Sequence, residues 1–111
     1  MTSYEGTSSN KVPLFDGINF AFWKVRMRTY IMSLGVDVWD VVDIGYVNPD
    51  VLASRDDKLE YSFNAKVMNA ILSGLVEAKF VEVMHLESAK EMWDKLVSNY
   101  EGSEKVKDAK L

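Results

Sequence analysis

Cysteine is absent from this chain, which excludes disulfides and thiolate metal sites. Histidine occurs once, as His85, and one imidazole without thiolates does not build a zinc site unaided. No serine stands in a nucleophile-elbow context, and there is no glycine-rich phosphate loop. No apolar run approaches the roughly 20 residues that a membrane helix needs. The polar start MTSYEGTSSNK lacks the hydrophobic stretch of a signal peptide. Basic charge is also scarce. The net charge is −4 and the pI about 4.9, the wrong sign for an ordinary nucleic-acid binder. These absences argue against an enzyme, a cofactor, a metal, a membrane partner and a nucleic-acid partner. The lack of cysteine fits a reducing compartment, and a cytoplasmic location is expected.

What is present is apolar and aromatic. The 111 residues are 48% hydrophobic and 12% aromatic, which favours a packed globule over disorder. A chain of this length suits one domain and can bury roughly two thirds of its unfolded surface. The expected class is all-α, a compact bundle of about five short helices. Residues 1–11 have the composition of a flexible arm, 12–102 form the helical domain, and 103–111 form a hinge and the start of a further helix. Nothing in Val106–Leu111 terminates that last helix, so a fragment or truncated copy is expected.

The organising stretch is PLFDGINFAFWKVRMRTYIMSL, from Pro13 to Leu34. Pro13 keeps the approach extended, Asp16-Gly17 is a turn dipeptide, and Asn19 is a side-chain N-cap candidate. Phe20, Trp23, Met27, Tyr30, Ile31 and Leu34 share one helical face, and Gly35 stops the helix. Phe22, Val25 and Met32 point elsewhere. Either the second or third helix covers them, or they form an apolar patch that marks a protein interface. With Lys24 and Arg28, they are the candidate interface residues.

Asp37 is read as the cap of a second helix from Val38 to about Ile44, with Trp39 and Val42 on one face and Gly45 closing it. Asn48-Pro49-Asp50 marks a loop. Ser54-Arg55-Asp56-Asp57 resembles a capping box opening a third helix that runs to about Ser73, with Gly74 as its breaker. Lys58, Ser62, Lys66, Asn69 and Ser73 form one narrow polar stripe, so this helix is expected at the centre of the bundle. Leu75–Met84 reads as a short fourth helix, although Phe80, Val81 and Val83 also favour a strand. Ser88-Ala89-Lys90-Glu91 is a capping box for a fifth helix running to about Tyr100. Ala89, Met92, Trp93, Leu96, Val97 and Tyr100 make its apolar face.

Two blocks carry a resemblance. The first is Pro13, Phe15, Gly17, Asn19, Phe20 and Trp23. The second is Val83-Met84-His85, then Ser88-Ala89-Lys90-Glu91-Met92-Trp93-Asp94-Lys95-Leu96, closing on Tyr100-Glu101-Gly102. In order and spacing the chain resembles, over Val12 to Leu111, the amino-terminal capsid region of the Gag polyprotein of copia-type LTR retrotransposons, the plant ones especially. The resemblance implies a helical capsid lobe that packs beside copies of itself, with itself or other Gag copies as partner. The family's nucleic-acid affinity is attributed to regions beyond the capsid, often a zinc knuckle of cysteines and a histidine, which this chain lacks.

The residues leave alternatives open. A retained or truncated Gag-derived module could bind a partner protein's peptide in a helical groove. Residues 19–35 carry Lys24, Arg26 and Arg28 and no acid, a net of +3. Residues 36–60 carry seven acids (Asp37, Asp40, Asp43, Asp50, Asp56, Asp57, Glu60) against Arg55 and Lys58, a net of −5. These are either solvated helix faces or complementary patches that orient neighbouring subunits. Trp23, Trp39 and Trp93 beside basic residues could stack bases, but Trp23 and Trp93 lie on apolar helix faces, where core packing is the better account.

Overall fold

The computed structural model describes residues 11–46 and 54–101. They form an all-helical bundle: α1 Phe20–Ser33, α2 Val36–Asp43, α3 Arg55–Ser73, α4 Glu77–Val83 and α5 Ala89–Leu96, the last continuing as a π-helical turn over Val97–Glu101. Residues 1–10 of the expected arm 1–11, the loop at 48–50 and the final segment 103–111 lie outside the described residues.

The extended lead-in is tied down before α1 begins. The Phe15 N–H donates to the Gly74 carbonyl at 2.7 Å, and the Val76 N–H donates to the Phe15 carbonyl at 3.1 Å. This gives one isolated parallel bridge, Phe15 to Leu75. The strand preference of the segment after Gly74 is therefore realised only at its start. From Glu77 the chain is helical, as expected.

Asn19 does occupy the position before α1, but its side chain caps nothing. It adopts the left-handed conformation at φ 59°, and its carbonyl takes the first helical bond, from the Trp23 N–H at 3.3 Å. Asn tolerates this region better than most residues, because its short polar side chain is compatible with it. The carboxylate of Asp16 organises the turn instead, accepting from the Ile18 N–H at 3.1 Å. Phe20, Trp23, Met27 and Ile31 are buried as their spacing requires. Tyr30 is half-buried, and Leu34, just past the helix end, is exposed.

Gly35 both stops α1 and starts α2. Its φ of 145° is a conformation that side-chain-bearing residues rarely adopt, and its carbonyl accepts from the Val38 N–H at 3.0 Å. Asp37 is therefore not the cap. It lies in the first turn of α2, where a carboxylate faces the positive end of the helix dipole. Val38, Val41 and Val42 are the buried residues of α2, and Trp39 is half-buried beside them.

The long helix α3 follows its sequence pattern closely. Ser54 Oγ accepts from the Asp57 N–H at 3.0 Å, and Asp57 Oδ2 accepts from the Ser54 N–H at 3.2 Å, a complete box. All five stripe residues are exposed, while Val67, Ala70 and Ile71 are buried. One polar residue is buried too. Asn64, 4% exposed, accepts through Oδ1 from the Ala89 N–H at 2.9 Å. It thereby satisfies one of the unpaired donors at the start of α5 from a different helix. The box at Ser88 is only half made. Ser88 Oγ accepts from the Glu91 N–H at 3.2 Å, but the Glu91 carboxylate turns to the Glu87 N–H.

The core is aromatic where the lead-in and α1 meet α5 and the π turn. Trp23 lies on Trp93 with ring centroids 5.8 Å apart, and Trp93 meets the half-buried Trp39 edge-on at 5.2 Å. Tyr100, within the π turn, packs edge-on against Phe15 at 5.0 Å and beside Phe20 at 5.8 Å. The indole N–H of Trp23 donates to the Pro13 carbonyl at 3.0 Å. The most characteristic residues of the two sequence blocks thus form one packed cluster, a fold-defining rather than a chemical site.

Candidate interaction surfaces

The outer face of α1 carries an uncovered apolar surface. Phe22 is 60% exposed and Val25 65% exposed, so α2 and α3 do not cover them. The exposed Leu14 and Ile18 of the lead-in extend the patch, and Leu14, Ile18 and Phe22 line one shallow depression with Arg26. A second depression alongside is lined by Lys11, Pro13, Val25, Arg26, Thr29 and Tyr30, with Ser33 at its end. Among the described residues, no carboxylate lines either depression. The Arg26 guanidinium lies 5.5 Å from the Phe22 ring centroid, a cation–π distance.

The other three candidates are placed differently. Lys24 is engaged within the chain, its ammonium 2.8 Å from the Glu101 carboxylate. Arg28 is exposed and its guanidinium sits 5.7 Å over the half-buried Trp39 ring, on the α2 side. Met32 is half-buried. The structure therefore groups Phe22 and Val25 with Leu14, Ile18 and Arg26 rather than with Lys24 and Arg28. Sequence reasoning missed Leu14 and Ile18 because they precede the helix, although they precede Phe22 at intervals of four residues.

A second surface lies between α2 and α3. It is a groove of about 410 Å³ whose walls include Ile44, Leu59 and Phe63 and whose rim carries Asp37, Asp40, Asp56 and Glu60. Among the described residues, no basic side chain lines it. The acids are too spread for a cation: no group of three or more potential metal ligands comes together among the described residues. His85 is exposed in the turn after α4. Trp23 and Trp93 are both buried, so neither offers a free face to a base. Among the described residues, no helix is long and apolar enough to cross a membrane.

A polar cluster ties α4 to the π turn. The Tyr100 hydroxyl donates to the Glu82 carboxylate at 2.7 Å, Asn99 Nδ2 donates to it at 3.1 Å, and the Lys79 ammonium stands 3.5 Å away. Partial burial works to raise the Glu82 carboxyl. The bonds from Tyr100 and Asn99 and the charge of Lys79 outweigh it and hold the group below the ordinary carboxylate value. A lowered folded-state value means that the contribution to stability is present above the unfolded value and is lost as pH falls through the folded one. The expected result is that Glu82→Gln is less stable than the parent at pH 7, with the gap closing as pH falls through and below the ordinary carboxylate range. Urea denaturation across that range measures it, and a gap that stays constant would remove Glu82 as the titrating group.

No family model, curated protein or solved structure matches the chain.

Proposed function

We propose that this chain is a Gag-like structural module that acts by associating with copies of itself. The observation that carries the reading is the uncovered apolar outer face of α1, on a bundle whose characteristic aromatic residues are used up in the core. Exposed contiguous apolar surface of this kind marks protein contact. The resemblance of the two sequence blocks to copia-type Gag supplies the class of contact. Capsid lobes make weak contacts repeated many times, and multivalency turns them into a shell. The cluster of Phe15, Phe20, Trp23, Trp93 and Tyr100 supports the resemblance, because it packs the two blocks against each other.

Sedimentation velocity over rising concentration tests the proposal. An average mass that climbs as the concentration approaches about 1 mM is the expected result, since contacts of about −4 kcal/mol register there. A strictly monomeric chain up to that concentration would overturn it.

A further inference from the structure

We infer that copies of this chain join head to tail, the outer face of α1 of one copy seating on the acidic groove between α2 and α3 of the next. The inference rests on the self-association proposed above and specifies its two surfaces.

Both surfaces have the same construction with opposite charge. On α1, exposed Phe22 and Val25 stand beside Arg26 and Lys11 with no acid among the described residues that line the surface. In the groove, exposed Leu59 and Ile44 stand beside Asp37, Asp40, Asp56 and Glu60 with no base among the described residues that line it. Each therefore offers an apolar contact with a charged rim, and the rims are complementary. No described residue lines both surfaces. Phe22, Val25 and Arg26 lie on the side of α1 opposite its buried Phe20, Trp23, Met27 and Ile31, facing away from the bundle.

Charge also selects the symmetry. A two-fold contact through the α1 face would bring Lys11 and Arg26 of both copies together. A two-fold contact through the groove would do the same with four carboxylates from each copy. Like charges opposed across an interface disfavour the wrong pairing, and opposite rims fix the right one. The favoured contact is therefore heterologous, and a heterologous contact propagates into a ring or an open filament instead of stopping at a dimer.

The test uses the whole chain and two single-face variants in sedimentation velocity. Phe22→Asp adds a carboxylate to the α1 face and Leu59→Asp adds one to the groove, so neither variant gains a complement in the other. Both positions are exposed, and both variants should keep the parental circular dichroism; Val25→Ser and Ile44→Ser replace them if either does not. The parent is expected to grow past a dimer with concentration and to dissociate near 1 M salt, where the screening length falls to about 3 Å. Each variant alone should stay monomeric where the parent associates. An equimolar mixture should sediment as a dimer and grow no further, because only one intact pair of surfaces remains.

A mixture no heavier than its components, or a variant that associates like the parent, would overturn the head-to-tail contact and leave self-association standing. Loss in Leu59→Asp without loss in Phe22→Asp would place a different segment or peptide in the groove, and would also overturn it. A parent that is monomeric throughout would overturn both readings.

Discussion

Trp23→Ala is expected to lower the stability of this domain by about 3–5 kcal/mol, the usual loss for a large aromatic truncated in a core. The side chain is 3% exposed. Its ring lies 5.4 Å from Phe15, 5.6 Å from Phe20 and 5.8 Å from Trp93, so the deletion removes the centre of the aromatic cluster rather than its margin. It also leaves the Pro13 carbonyl without its indole partner. At about 4 °C or more per kcal/mol for a domain of this size, the melting temperature should fall by more than about 12 °C. Trp23→Phe separates the two contributions. It keeps part of the packing but cannot donate, and the unpaired carbonyl should cost about 1–3 kcal/mol. Thermal and urea denaturation followed by circular dichroism measure both. A melting temperature for Trp23→Ala within a degree or two of the parent would overturn its place at the centre of the core.

Features governed by near neighbours in sequence are the ones that sequence reading recovers. The polar stripe of α3, the Ser54 box and the apolar faces of α1 and α5 follow from helical spacing, which fixes what shares a side before anything else packs. Features governed by distant contacts are not recoverable in this way. Asn64 has an ordinary helical context, and only the approach of Ala89 makes it a cap for another helix. The π turn over Val97–Glu101 has no sequence signal, although Tyr100 within it packs against Phe15 on the apolar side that its spacing assigns. Asn19 and Asp37 mislead for one shared reason. Each belongs to the residue types that favour caps, but the backbone at Asn19 is left-handed, and Gly35 begins α2 earlier than an Asp37 cap would.

The interaction surface divides along the same line. Phe22 and Val25 stand out because they break the periodicity of α1, and both are exposed. Lys24 and Arg28 lie near those residues in sequence, but charge near a patch does not show what a flexible cation will reach. Lys24 reaches Glu101 and Arg28 reaches Trp39, contacts that need the folded bundle. Arg26 keeps its guanidinium over Phe22 within the patch.

Gly74→Ala is the second substitution with a large expected effect, and here the sign is informative. Replacing glycine by alanine at the end of a helix stabilises by about 0.4–1 kcal/mol where the backbone and the space permit it. The backbone of Gly74 does permit it, since its φ is −94°. The space does not. An added Cβ would lie 2.6 Å from the Pro13 carbonyl oxygen, 2.5 Å from Met27 Cε and 3.0 Å from Val12 Cγ1. Met27 is fully buried and has little room to yield, and Pro13 is backbone held by the Trp23 indole. Relief requires the lead-in to move away from Gly74, which breaks the 2.7 Å bond from the Phe15 N–H. A net loss of about 1–3 kcal/mol is expected, the range for overfilling a packed site. Hydrogen exchange should show lost protection at Phe15 and Val76, the two amides of the bridge. The helix-breaker reading of Gly74 predicts the opposite sign, a gain in stability with the bridge intact. The Trp23→Phe background then locates the strain. There the Pro13 carbonyl is released, so alanine at 74 should cost less than in the parent, a coupling expected of residues that share a partner. An equal cost in both backgrounds would place the strain on the Met27 and Val12 side chains.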